Sequence, residues 1–159
     1  MKIYNGGIFH ASNSLRKKLD SAQHSFLNEI GIITVDAFLR YNFAPPSLRR
    51  NIGVLGLLQK RVLGLAHPVF QELLPYHVDV FGSLRSGEHT RQLYGHILEV
   101  KFQQALHSRS IFGMVYVYNR LPQDVVDSKN VTIFQTCLTR MARKACEEGN
   151  PKWMTYFSC

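Results

Sequence analysis

The sequence predicts a mainly α protein, an irregular helical bundle of about five or six helices with one long loop. Three observations carry that prediction. Apolar residues recur at helical spacing in three segments, about residues 14–30, 46–66 and 129–148. Glycines and prolines punctuate the chain between them, at Gly31, Pro45-Pro46, Pro68, Pro75, Pro122 and Gly149-Asn150-Pro151. The 159 residues, 45% of them hydrophobic, suffice for one domain with its own core, so residues 1–159 are read as a single helical domain or fragment.

Ser14 is the expected cap of the first helix, whose apolar positions Leu15, Leu19, Ala22, Phe26 and Ile30 fall within about 80° of arc. Arg16, Lys17, Asp20 and His24 point away from that stripe, and Gly31 ends the helix. Thr34 then caps a short helix from Val35 to Asn42, before Ala44-Pro45-Pro46-Ser47 turns the chain sharply. Pro46 to Ala66 is the strongest helical pattern, with Leu48, Ile52, Leu55, Leu58, Val62 and Leu65 on one broad side. His67-Pro68 closes it, and a short apolar stretch, Val69 to Leu74, stops at Pro75. The pattern fails over about 76–92, where Gly82, Ser83, Ser86 and Gly87 mark the long loop. Ile97 to Leu106 suits helix or strand, whereas Ile111 to Tyr118 is read as a buried helix. Beyond Leu121-Pro122, Asp127 or Ser128 is expected to cap a last helix, Lys129 to Glu148. Val131, Phe134, Leu138, Met141 and Ala145 face inward there, with Arg140, Arg143 and Lys144 wet, and residues 152–159 trail as a tail.

With 19 Lys and Arg against 11 Asp and Glu, the formal charge of +8 favours polyanionic partners, RNA or DNA, over acidic ones. No run approaches the roughly 20 apolar residues of a membrane span, and the first residues lack a secretory signal. The reading is therefore an intracellular protein of cytoplasm or nucleus, without membrane partner or disulfides. Cys137, Cys146 and Cys159 are too few and too irregular for a four-ligand zinc site, and the seven histidines form no helical i, i+4 pair.

Reaction chemistry leaves no trace either. No glycine-rich phosphate cradle occurs, and no Gly-x-Ser-x-Gly elbow. Two-metal phosphoryl transfer needs clustered carboxylates, but Asp124 with Asp127 reads as turn and cap chemistry, and Glu147 with Glu148 as partners of Arg143 and Lys144. No catalytic residue, metal or cofactor is assigned, and the chain is not expected to be an enzyme. Gly53-Val54-Leu55-Gly56 has the formal spacing of an RNA-binding GXXG loop, yet lies in mid-helix where packing is the better account. Arg49, Arg50, Lys60 and Arg61 gather opposite the apolar stripe of that same helix, with Gly53, Gly56 and Gly64 among them. A mid-helix glycine costs about 1 kcal/mol relative to alanine, so the smooth strip needs a reason. Either another helix crosses it, the favoured reading, or a phosphate backbone lies along it between the two basic pairs.

Several blocks carry a family likeness: Phe9-His10-Ala11 with Leu19-Asp20 and Glu29-Ile30-Gly31; Ala37 to Pro45; Arg49 to Leu58; and Val62-Leu63-Gly64. Near the end stand Arg109 to Gly113, Tyr118-Asn119-Arg120-Leu121-Pro122, and Phe134 closed by Leu138. Together they resemble the region downstream of the polymerase core in reverse transcriptases of non-LTR, long interspersed type retrotransposons. The resemblance implies a parent protein that copies RNA into DNA at a nicked target. It carries over no catalytic residue, because the polymerase and endonuclease blocks have no counterpart here, and it implies an ancestral role in supporting nucleic-acid binding. An independent basic nucleic-acid-binding module, or a structural helical domain that self-associates or contacts proteins, would fit the same residues.

Overall fold

The helical period does produce helices. A computed structural model describes residues 12–76, 89–94, 107 and 110–158. Among them seven α-helices follow in order: α1 (Asn13–Glu29), α2 (Thr34–Tyr41), α3 (Pro46–Val62), α4 (Val69–Leu73), α5 (Ile111–Tyr118), α6 (Gln123–Val126) and α7 (Val131–Glu147), then a 3₁₀ turn, Trp153–Thr155. The described residues contain no β-strand, only an isolated antiparallel bridge between Tyr76 and Leu93. That bridge, with Tyr94 N–H donating to Pro75 O at 2.8 Å, ties together the two ends of the expected loop. Residues 77–88 of that loop, and the ambiguous run from Ile97 to Leu106, lie outside the described residues.

Boundaries follow from capping. Ser12, not Ser14, caps α1, its Oγ accepting from Leu15 N–H at 3.3 Å. Ser14 begins one residue inside the helix and its hydroxyl meets that of Ser12 instead. Asn130, rather than Asp127 or Ser128, caps α7, its Oδ1 accepting from Thr132 N–H at 2.7 Å. Asp127 is engaged elsewhere, with Gln123 and Arg91. Thr34 is the first residue of α2 rather than its cap, and Ile33 ahead of it makes no side-chain cap bond. Three helices end on a left-handed glycine, Gly31, Gly64 and Gly149, with φ of 69°, 71° and 72°. At each, the glycine N–H and the next residue's N–H reach back to two orphan carbonyls of the last turn. Gly64 thus stops α3 at Val62, short of the expected Ala66, and Leu65 is exposed.

α3 is the central rod, packed chiefly against α7 and α5. Leu48, Leu55 and Leu58 of α3 meet Met114, Val115 and Tyr118 of α5 and Phe134, Leu138 and Ala142 of α7 in one buried cluster. Each large apolar side chain buried there contributes about 1.5–3 kcal/mol. The Asn130 cap adds only about 1 kcal/mol, so packing holds α7 in place. Gly56 lies where α3 and α7 cross: a Cβ at that position would stand 2.3 Å from Gln135 Nε2. The smooth strip is therefore a helix crossing at Gly56.

Two expectations are corrected. The stripe on α1 is not core: Leu15, Leu19, Phe26 and Ile30 are 50%, 40%, 51% and 49% exposed. α1 turns toward α3 through Asp20 and Gln23 instead, and Leu27 is buried. The tail is core: the Trp153 ring lies on Phe38 of α2 at 5.2 Å between centroids with a 3° interplanar angle, and Phe157 is buried.

Candidate nucleic-acid interface

The basic quartet of α3 does not form one wet face. Arg50 is buried, and its Nη2 donates to Asp20 Oδ1 and Oδ2 at 2.8 and 3.0 Å. Arg49 donates from Nη2 to Gln23 Oε1 at 2.9 Å and lies 5.3 Å over the Phe43 ring, while its Nε is buried without a partner. Burial first, and the neighbouring positive charge of Arg50 second, push the Arg49 pKa below its usual value. At the other end, Arg61 is buried, donating from Nε to Leu74 O at 2.9 Å with its guanidinium 4.4 Å over the Tyr76 ring. Tyr76 Oη returns a hydrogen bond to Val62 O at 2.9 Å. Lys60 alone of the four is exposed. In place of the alternative phosphate track between two basic pairs stand two packing joints, because Asp20, Gln23, Leu74 and Tyr76 cover the guanidinium groups.

The block Tyr118-Asn119-Arg120-Leu121-Pro122 is also a joint. Tyr118 Oη donates to Gln59 Oε1 at 2.7 Å, and Gln59 Nε2 donates to Val126 O and Ser128 O. Burial raises the Tyr118 phenol well above its ordinary pKa, with Arg91 opposing the shift and Tyr76 adding to it. Asn119 acts as a surrogate strand, accepting from Leu93 N–H at 3.0 Å and donating to Leu93 O at 2.8 Å. His89 closes the set, its Nε2 3.0 Å from Tyr118 O. The polar groups of Gln59, Tyr118, Asn119 and His89 are thus engaged within the fold, whereas Arg120 is exposed.

The accessible polar surface lies instead along α7. A groove of about 550 Å³ runs beside Thr132, Gln135, Thr136, Thr139, Arg140 and Arg143, with Asn42 at its edge. These positions recur at helical spacing on the side away from Phe134 and Leu138, so one straight stripe of about 16 Å results. Among the described residues no carboxylate lines the groove. Arg143, expected to be wet, is half-buried: it donates to Leu39 O and pairs with Glu147 at 3.7 Å. Arg140 is exposed and makes no hydrogen bond or ion pair among the described residues. The polar side of the same helical period marks this stripe in the sequence, where the paired arginines of α3 form the denser basic pattern.

No family model matches the chain, and neither a curated protein nor a solved structure does. Among the described residues no group of three His, Cys, Asp or Glu side chains is placed to hold a metal ion. No described helix is long and apolar enough to cross a membrane.

Proposed function

We propose that the chain is a non-catalytic nucleic-acid-binding helical domain, derived from the C-terminal part of a retrotransposon reverse transcriptase and working beside a polymerase rather than as one. The observation that carries this reading is the groove of α7, where Arg140, exposed and unpaired among the described residues, stands among amide and hydroxyl side chains with no described carboxylate beside it. Such groups position phosphates without reading sequence. The excess of Lys and Arg over Asp and Glu adds long-range attraction for a polyanion.

The test is a mobility-shift titration with RNA and DNA across a salt series. Each phosphate contact contributes about 0.9 to the slope of log K against log salt on duplex DNA and about 0.7 on single strands. Arg140→Gln should therefore weaken binding and flatten that slope by about one contact. Lys60→Gln, at a residue that is also exposed but on α3, should leave both nearly unchanged. Absence of RNA and DNA binding at about 50 mM salt would overturn the reading. Magnesium-dependent primer extension above background would contradict its non-catalytic part.

A second reading, a helical protein-contact domain, rests on the exposed apolar stripe of α1. It requires self-association or partner capture that Leu19→Lys abolishes, and polyanion binding that is weak and insensitive to Arg140.

A further inference from the structure

Between α5 and the C-terminal turn lies a cavity of about 680 Å³, within the range of small-molecule and cofactor sites. His107, Tyr116, Arg120, Met141, Tyr156 and Phe157 are among its walls. Aromatic and apolar groups dominate, and Arg120 carries the one permanent charge of the described lining. The Arg120 guanidinium sits 4.2 Å over the Tyr116 ring, whose other surroundings leave Tyr116 63% exposed. A large exposed ring with a cation over one face is a stacking platform with positive charge beside it. Nothing in the packing of α5 requires it: the neighbouring Met114, Val115 and Tyr118 bury their side chains, whereas Tyr116 turns outward. His107, stacked near Phe112, contributes an Nε2 that is buried without a hydrogen-bond partner. An unpaired buried polar atom is unfavourable until something pairs with it.

A planar aromatic ligand with an adjacent anionic group complements such walls, and each residue of a polynucleotide has that form. In a duplex the base is stacked and paired, so only an unstacked base can enter a lateral cavity. We propose that this cavity receives an unstacked base of single-stranded nucleic acid, with Tyr116 stacking on the base and Arg120 facing its flanking phosphate. The proposal rests on the nucleic-acid-binding reading and adds to it a preference for single strands and a site away from the α7 groove.

The experiment compares four probes: an oligothymidylate of about 15 nucleotides, its duplex with oligoadenylate, an abasic oligomer of equal length, and thymidine 5′-monophosphate. The single strand is expected to bind more tightly than the duplex and the abasic oligomer. Tyr116→Ala should weaken single-strand binding by about 5- to 150-fold, the range for losing one base stack, and leave abasic binding unchanged. Tyr116→Phe should restore the parent affinity. Because Tyr116 is exposed, helical circular dichroism should be the same in all variants. Equal affinity for abasic and normal single strands, or an unaltered affinity in Tyr116→Ala, overturns the base pocket while the nucleic-acid reading stands. Monophosphate binding as tight as the strand's would assign the cavity to free nucleotides and overturn the strand proposal. No binding of any polynucleotide overturns both.

Discussion

Tyr118 shows how much one side chain organises. Its hydroxyl is buried with Gln59, so Tyr118→Phe leaves Gln59 Oε1 without its donor and should destabilise the fold by about 1–3 kcal/mol in urea titration. The same burial makes a pH prediction. The unfolded chain loses this phenolic proton near pH 10, whereas the folded chain retains it to higher pH. The stabilisation is fully present below about pH 10 and is lost as pH rises through the folded-state value. Urea midpoints measured between neutral pH and pH 11 should fall above about pH 10, and the fall should be shallower in Tyr118→Phe. Arg50 makes a contrasting case. Arg50→Gln removes a charge-assisted bond to Asp20, a carboxylate that is 36% exposed and can rehydrate, so a loss of about 1.5–3 kcal/mol is expected. An Arg50→Gln protein with the parent's midpoint would show that the Asp20 bond contributes nothing.

Among the helices, α7 and α1 mark what periodicity can and cannot reveal. Leu138 is fully buried, and Leu138→Ala should lower stability by about 2–5 kcal/mol. Leu19→Ala on the exposed stripe of α1 should change it by less than about 0.5 kcal/mol. Equal losses in the two variants would mean that the α1 stripe is covered. From the sequence both helices have a clear apolar side, because a 3.6-residue period is a property of the segment alone. Which side meets a neighbour is a property of the partner. α7 presents Phe134 and Leu138 to the apolar side of α3, and there the inward face was legible. α1 approaches α3 where Arg49 and Arg50 await Asp20 and Gln23, so a polar side is covered and the apolar one is left out. The same long-range partners hid the fate of the basic quartet: Asp20 is 30 residues from Arg50, and Leu74 is 13 from Arg61. A short 3₁₀ turn following Pro151 has too few residues to display any period, so the burial of Trp153 leaves no mark in the sequence.

Over the whole molecule, burying Arg50 and Arg61 removes two cations from the surface field, yet the described surface keeps exposed, unpaired charge at Lys17, Lys18, Lys60, Arg140 and Lys152. On the described surface they are spread over α1, α3, α7 and the C-terminal segment rather than gathered in one cluster, so there local geometry must choose the contact. α2 and the last turn are also joined, through Phe38 and Trp153. Trp153→Ala should cost about 3–5 kcal/mol, measured as a shift in the urea midpoint. That joint has an optical consequence. Trp153 is the only indole in the chain, and it lies buried against one ring of α2. Tryptophan emission therefore reports a single event, the parting of the last turn from α2, while far-ultraviolet ellipticity reports the helices together. If the molecule opens all at once the two signals move in parallel with urea; if the C-terminal turn lifts first, the emission shifts to the red while the ellipticity still stands at its native value.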